Sequence, residues 1–416
     1  MFLGYREKLI VLAAQITEAV GMLVFAKVLA VRLSKGEMGV YLLAASGVAL
    51  ISTCFFSVTD QGFMRFVSVY ERNGVLKKMY SALLGGNFLL ALLVGLIAAV
   101  VALALGFGNG YFFLVCIAGV WLSFDCIKTS ALVTANTLRK RGIYTAAKML
   151  EQGLKVSLLL LATTLVVADA KIVLAVLASS SLVVMVFLLA VHKAYLDVWQ
   201  ISDLRAVLAD VIGFGGPLFV WSVFGWVQNM SGRWLLGWYH SGDVVADFGI
   251  LASLATLPVG FLLGIVAVYS LPIIYQREDE TPGAAKAYVI KIVYKLAPLL
   301  LAGLLVVSFF HRDIVVLLSS TRYAEYSYLL PYMTFGTALN VLGAVLSYVS
   351  FARHQTGRLV LANSLPGVIS LLLGLVIVPS QGLYGAVVSF ILAHVAFFLL
   401  HFKVFLSYST SRSSHT

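Results

Sequence analysis

The chain has 416 residues, of which 61% are hydrophobic and only 11% charged. A soluble domain of this size carries about a quarter charged residues, so the composition excludes a soluble protein and indicates a polytopic membrane protein. The formal net charge of +11 would suit a nucleic-acid partner, but the positions of the charges argue against one.

Apolar runs of about 20 residues recur along the chain, each long enough for a helix to cross a bilayer. The runs are continuous and do not alternate, which favours helices over a barrel. We therefore predict an all-α polytopic fold with about twelve transmembrane helices, in two six-helix bundles around a central cleft. The predicted spans are 9–31, 38–60, 80–105, 111–133, 145–167, 171–192, 211–239, 244–271, 288–309, 327–352, 357–378 and 382–405.

The distribution of Lys and Arg predicts the orientation in the membrane. With the N-terminus inside, 20 of the 29 cations fall in inner segments or toward the inner ends of spans, including Arg6, Lys8 and Arg412, and five fall on the outer side. This asymmetry follows the positive-inside rule and predicts that both termini are cytoplasmic. The first apolar run is too long for a cleavable signal and is interrupted by polar residues. The longest loops, expected at 61–79, 193–210 and 272–287, would all lie inside.

The two halves of the chain resemble each other weakly. Lys27 and Arg233 are each followed nine residues later by Gly and then by an acid, Glu37 or Asp243. We predict repeats at 1–205 and 206–416, with six spans each. An even number of spans preserves orientation, so the repeats would be parallel, with a substrate site at their interface.

Several ionisable residues fall within predicted spans, where each costs about 2.5–3.5 kcal/mol on insertion scales and is a functional candidate. Asp125 and Lys128 are three residues apart, and Glu151 and Lys155 are four apart, so each pair can be neutralised locally. A polar cavity lined by the two helices is the alternative. Glu18 has no cation in register on its own helix, so it could be protonated, bind a coupling ion or pair with another helix.

Lys27 and Arg233 have no acid in helical register on their own helices. They are candidates for anion binding in a central cavity, because the arginine fork can bind two phosphate oxygens at once. The alternative is that they snorkel to the membrane surface. Aromatic residues near the same end predict an outer belt or, alternatively, a surface that stacks on sugars. They are Trp234, Trp238, Tyr239, Tyr323, Tyr326, Tyr328 and Tyr332.

Enzyme and cofactor signatures are absent from the sequence. There is no nucleotide-binding loop, no metal-ligand spacing and no disulfide framework among Cys54, Cys116 and Cys126. We therefore predict no cofactor, no metal and no nucleic-acid partner, and a secondary transporter rather than a pump.

Three stretches carry a resemblance to a known family: "AKVLAVRLSKGEMGVYLLAASGVALIS", "PLFVWSVFGWVQNMSGRWLLGWYHSGDVVADFGI" and "AEYSYLLPYMTFGTALNVLG" followed by "VPSQGLYGAVVSFILAH". In their order and spacing the chain resembles the Wzx-type polysaccharide flippases of the multidrug/oligosaccharidyl-lipid/polysaccharide (MOP) exporter superfamily. The resemblance covers nearly the whole chain. The family often has Asp-Arg where this chain has Gly232-Arg233, so the arginine lacks that neighbouring acid.

The resemblance implies a flippase that moves an undecaprenyl-pyrophosphate-linked oligosaccharide, such as an O-antigen unit, from the cytoplasmic to the periplasmic leaflet of the bacterial inner membrane. It also implies membrane lipids, a polysaccharide polymerase and a chain-length regulator as partners. The substrate-binding candidates are Arg233, Lys27, Lys128 and Lys155. The candidates for coupling to a proton or cation gradient are Glu18, Asp125 and Glu151.

Two alternatives remain open at this point. A multidrug antiporter of the same superfamily would share the fold but would more often expose acids to its cationic substrates. A membrane polymerase or ligase should carry a large outer loop with catalytic residues, whereas the largest outer loop expected here is short, at about 310–326.

Overall fold

The structure is a computed structural model that describes residues 5–106 and 108–408, without the side chains of residues 5–12, Phe214, Pro217 and Val268. All regular secondary structure within these ranges is helical. The main helices are α1 Tyr5–Arg32, α2 Lys35–Ile51, α3 Ser57–Arg72, α4 Leu76–Ala104, α5 Asn109–Thr137, α6 Arg141–Leu165, α7 Ala170–Val191, α8 Ile201–Tyr239, α9 Gly242–Glu280, α10 Ala284–Leu318, α11 Leu330–Ala352, α12 Val360–Gln381 and α13 Leu383–Leu406.

The predicted all-helical membrane fold is confirmed. Ten helical segments in the described ranges are long and apolar enough to cross a membrane, with α2 and α3 forming one of them, and the bent helix α8 makes eleven. The remaining helix, α6, coincides with the fifth predicted span and carries Lys148, Glu151 and Lys155. Arg412 lies outside the described residues, as do the side chains of Arg6 and Lys8.

The three long inner loops were predicted wrongly, because much of each is helical. A π-helical turn, Ser52–Phe56, connects α2 to α3, and α3 continues to Arg72. This extension is amphipathic: Phe63, Val67 and Tyr70 are buried, whereas Arg65 is exposed. Such a helix packs one apolar face without being apolar throughout, so average hydrophobicity along the sequence misses it. Likewise, α8 already begins at Ile201 and α9 continues to Glu280.

The described chain divides into two compact units between Val223 and Phe224, within α8. We call the part before this division unit 1 and the part after it unit 2. Helix α8 is bent by 67° between Gly213 and Leu218, shortly before the division. The repeat boundary expected at residue 205 stays a prediction.

Small residues allow close helix packing in unit 1. Gly95 on α4 faces Gly119 on α5, where an added Cβ would lie 3.2 Å from the opposing Cα. Gly21 on α1 lies against Gln152 on α6, where an added Cβ would lie 2.7 Å from the glutamine Cβ. Close approach of this kind is a common packing device in membranes, and at Gly21 it holds α1 on the charged helix α6.

In unit 2, helices also pack closely at small residues, and neutral polar contacts join them. A Cβ at Gly367 on α12 would lie 2.5 Å from the carbonyl oxygen of Phe224, so the backbones of α12 and α8 are close. Along the same pair of helices, Ser231 and Ser370 form a hydroxyl–hydroxyl hydrogen bond of 2.9 Å. The Ser370 hydroxyl also donates a hydrogen bond of 3.2 Å to the backbone carbonyl oxygen of Gln228.

Candidate functional site: a buried ion network in unit 1

The centre of unit 1 contains a buried lysine held between two acids. Lys128 on α5 places its Nζ 2.5 Å from Oδ1 of Asp125 and 2.6 Å from Oε1 of Glu151 on α6. The Asp125 contact spans three residues of one helix, as predicted from the sequence. The Glu151 contact joins two helices, and only 5% of the Lys128 side chain is exposed.

Further contacts extend this arrangement along α6 and onto α7. Lys155 donates to the same Oε1 of Glu151 at 2.6 Å, which confirms the second predicted local pair. The Ser181 hydroxyl on α7 donates to Oδ1 of Asp125 at 3.1 Å. Helices α5, α6 and α7 therefore meet around two carboxylates and two ammonium groups.

Glu18 forms an ion pair with a lysine on another helix, which was one of the alternatives left open by the sequence. The Lys148 Nζ on α6 lies 2.7 Å from Oε1 of Glu18 on α1. The close contact between Gly21 and Gln152 lies one turn along the same helices and brings the two side chains within reach. We call the six residues of these contacts the ion network: Glu18, Asp125, Lys128, Lys148, Glu151 and Lys155.

The ion network has three positive and three negative side chains. Ions in low-dielectric surroundings are stable only when paired and hydrogen-bonded, and removing one partner of a buried pair costs about 3–5 kcal/mol. Matched charges therefore allow α6 to be embedded although it carries Lys148, Glu151 and Lys155. The same matching limits what the network can offer a ligand, because each carboxylate already has a lysine ammonium within 2.7 Å.

The structure brings together only some of the site residues predicted from the sequence. Lys128 and Lys155, expected to bind substrate, lie in one network with Asp125 and Glu151, expected to couple an ion. Lys27 lies outside the network, half-buried, five residues before α1 ends. The functional roles of these residues stay predictions.

Arg233 is also half-buried and lies six residues before the end of α8. Its local setting matches that of Lys27, since each cation precedes a short turn and a helix with an acid in its first turn. These acids are Glu37 on α2 and Asp243 on α9. The Glu37 carboxylate accepts a hydrogen bond of 2.8 Å from the backbone N–H of Ala170, at the start of α7.

Sequence reasoning missed a second buried polar cluster in unit 1. Asp60 on α3 is 3% exposed, whereas Arg65, five residues later on the same helix, is exposed. Asp60 accepts a hydrogen bond of 2.6 Å from Ser130 on α5, and Ser130 accepts one of 3.1 Å from Asn87 on α4. The signal in the sequence was weak: Asn87 and Ser130 are polar residues in apolar helices, whereas Asp60 lies at the end of an apolar run.

One of the seven aromatic residues that we predicted to form an outer belt is buried. Trp238 is 83% exposed and Tyr332 60% exposed, as expected for side chains at a membrane surface. Tyr323 is buried in the turn before α11, and burial raises the pKa of its hydroxyl to about 12. It therefore does not belong to an exposed belt.

No group of three or more His, Cys, Asp or Glu side chains within the described ranges is arranged to hold a metal ion. The cysteines Cys54, Cys116 and Cys126 are free thiols.

No protein-family model and no curated protein matches this sequence. Solved structures do match. The lipid II flippase MurJ, in an inward closed conformation, superimposes with a TM-score of 0.74 at 13% identity, covering 98% of this chain and 88% of that one. An inward-facing multidrug resistance MATE family transporter of the MOP superfamily gives 0.66 at 16% identity, covering 94% and 95%.

A MOP superfamily transporter from Pyrococcus furiosus, described by a reverse polarity of its binding pocket, gives a TM-score of 0.64 at 15% identity, covering 97% of each chain. Identities this low establish the fold and not the substrate. Together with the candidate spans, the comparisons show that this chain is a multi-pass membrane protein with the fold of MOP superfamily transporters.

Proposed function

We propose that this protein is a flippase that moves an undecaprenyl-pyrophosphate-linked oligosaccharide, such as an O-antigen repeat unit, from the cytoplasmic to the periplasmic leaflet of a bacterial inner membrane by alternating access. The observation that supports this proposal is that each acid in the ion network is paired with a lysine. A network neutralised in this way offers no open carboxylate to a cationic substrate. The fold shared with a lipid II flippase over nearly the whole chain is compatible with this task.

The physical task of such a protein is to carry a polar headgroup through hydrocarbon. Each unpaired polar group costs several kcal/mol there, so sugars and pyrophosphate do not cross without help. In this proposal Arg233 contacts the pyrophosphate, because cationic donors form strong, short hydrogen bonds to phosphate oxygens. The prenyl tail stays in the lipid.

A multidrug antiporter is the second candidate, because MATE transporters share the fold. Such a protein needs a carboxylate that its cationic substrate can reach. If the lysines of the ion network moved away from their acids during transport, the network itself would supply that carboxylate. The two candidates therefore predict opposite substrate charges.

The test is to deplete the protein from cells and to follow lipid-linked oligosaccharide and surface polysaccharide together. A flippase predicts that lipid-linked units accumulate, stay protected from a periplasmic probe, and that long surface chains disappear. Unpolymerised units exposed on the periplasmic face would instead indicate a polymerase or ligase. Unchanged lipid-linked pools would overturn the proposal, and export of cationic drugs would then be measured.

Arg233 provides a matched pair of variants for the same assay. Arg233→Gln removes the charge and the fork, and we expect transport to fall about tenfold to a hundredfold, the effect of losing about 1.5–3 kcal/mol of charged hydrogen bonding. Arg233→Lys keeps the charge but not the fork and should retain part of the activity. Full activity of Arg233→Gln, at equal protein level, would contradict a role in binding the headgroup.

A further inference from the structure

Asp60 is a buried carboxyl group of unit 1 that lies outside the ion network. Its side chain is on α3 and is 3% exposed. One carboxyl oxygen, Oδ1, accepts a hydrogen bond of 2.6 Å from Ser130. The other oxygen, Oδ2, is buried and has no hydrogen-bond partner among the described residues. Asp60 thus differs from the acids of the ion network, each of which contacts a lysine.

A chain of hydrogen bonds directs the Ser130 hydroxyl hydrogen toward Asp60. The Asn87 amide on α4 donates to the Ser130 hydroxyl at 3.1 Å, which leaves the hydroxyl hydrogen for Oδ1. The carbonyl oxygen of the same Asn87 side chain lies 3.2 Å from the Thr59 hydroxyl. Oδ2 of Asp60 is left without a hydrogen-bond donor among the described residues.

Among the described residues, the ionisable groups around Asp60 supply no positive charge. From α4 it is faced by Tyr80 and from α5 by Cys126, both neutral hydrogen-bonding groups. The Tyr80 hydroxyl is 3.0 Å from Nδ1 of His192, and burial lowers the pKa of that imidazole, which disfavours its charged form. On α3 itself, Arg65 is exposed.

Helix α8 also packs against this part of α3. It presents Val211 at Gly62, where an added Cβ would lie 2.9 Å from the valine side chain. Its nearby acid, Asp210, is exposed and accepts a hydrogen bond of 2.7 Å from Tyr70. The apolar contact of α8 therefore adds no cation to the surroundings of Asp60.

An ionised carboxylate with one hydrogen bond and no counter-ion is costly to bury, and such a group becomes neutral by taking a proton. A metal cation requires several oxygen ligands at once, whereas Asp60 offers one open oxygen and its other oxygen already accepts from Ser130. A proton needs only Oδ2. The chemistry of the site therefore favours a proton over a sodium ion.

We propose that Asp60 is a proton-binding site of unit 1 and that it, rather than an acid of the ion network, is the group through which this unit takes up and releases a proton. The π-helical turn Ser52–Phe56 ends four residues before it. Turns of this kind recur at functional sites because they interrupt the regular helical hydrogen bonding. A change in the conformation of this turn would move Asp60 relative to Ser130 and change the affinity of Asp60 for the proton. The proposal does not depend on which substrate is transported.

The test is infrared difference spectroscopy of the purified full-length protein during a pH titration. Wild type should show the carbonyl stretch of one protonated carboxyl group in an apolar setting, and the band should disappear as the pH rises. Asp60→Asn should lose this band, whereas the control Asp210→Asn, at an exposed acid, should keep it. Ser130→Ala should shift the frequency of the band, because the hydrogen bond to Oδ1 is removed.

Three results would overturn the proposal. The band could persist in Asp60→Asn that elutes as a folded protein, which would assign it to another acid. Wild type could lack the band at every pH tested, which would show that Asp60 stays ionised. Addition of sodium ions at constant pH could abolish the band, which would make the site one for a metal cation. If Asp60→Asn does not fold, the presence or absence of the Ser130→Ala shift decides the assignment.

Discussion

Unit 1 and unit 2 solve the problem of polar groups in a membrane differently. In unit 1, helices α1, α5 and α6 are joined by ion pairs between side chains in their central turns. In unit 2, helices α8 and α12 are joined by the Ser231–Ser370 contact, and the buried His394 on α13 donates to the carbonyl oxygen of Phe390 on its own helix. The contacts of unit 1 depend on charge matching, whereas those of unit 2 can lose a member without leaving an ion behind.

Charge is also used in unit 2, but at helix ends. Glu278, near the end of α9, accepts a hydrogen bond of 2.8 Å from Arg353, just after α11. The same carboxylate accepts the backbone N–H groups of Gly283 and Ala285 at 3.0 Å each, at the start of α10. Acids are favoured at helix N-termini, so Glu278, paired with Arg353, stabilises the turn between α9 and α10. The free-energy cost of a charged residue in this fold therefore depends on its position along the helix.

The largest expected effect comes from breaking the centre of the ion network. Lys128→Met removes the cation between Asp125 and Glu151, and we expect unfolding to become easier by about 3–5 kcal/mol, the cost of leaving a buried charge unpaired. The measurement is thermal unfolding of the purified protein in one detergent. The double variant Lys128→Met with Asp125→Asn should recover part of the loss. Equal stability of Lys128→Met and wild type would show that the network does not hold the helices together.

A smaller effect is expected at the edge of the network, where Lys148 and Glu18 are partly exposed. Their side chains are 17% and 28% exposed, so screening limits the loss in Lys148→Gln to about 1 kcal/mol. Exchanging the charges, with Glu18→Lys and Lys148→Glu together, should restore most of the stability because the pair is re-formed across α1 and α6. A double variant that is less stable than Lys148→Gln would contradict a simple pair.

The smallest effect is expected in unit 2. Ser370→Ala removes a neutral contact between α8 and α12, and hydrogen bonds of this type in membrane proteins contribute about 0.6 kcal/mol on average. The same unfolding measurement applies, with Ser380→Ala as the control, since that exposed serine bonds only within α12. A loss as large as that of Lys128→Met would remove the contrast between the units.

Much of the fold could be predicted from the sequence, because spans of about 20 apolar residues are long and unambiguous signals. The local pairs Asp125–Lys128 and Glu151–Lys155 were also predictable, since three and four residues bring side chains together on a helix. The contacts of Lys128 with Glu151 and of Lys148 with Glu18 were not, because helix spacing says nothing about which faces of two helices meet. Asp60 was missed because the helix continues past the apolar run after a π-helical turn.

The most direct test of the proposed function is transport in vesicles that contain the purified protein and an undecaprenyl-pyrophosphate-linked oligosaccharide. An enzyme that cannot cross the membrane would report how fast the sugar headgroup reaches the opposite leaflet. The flippase proposal predicts that the protein accelerates this movement, that Arg233→Gln slows it and that a cationic dye is not exported. Export of the dye without movement of the headgroup would contradict the proposal and favour a multidrug antiporter.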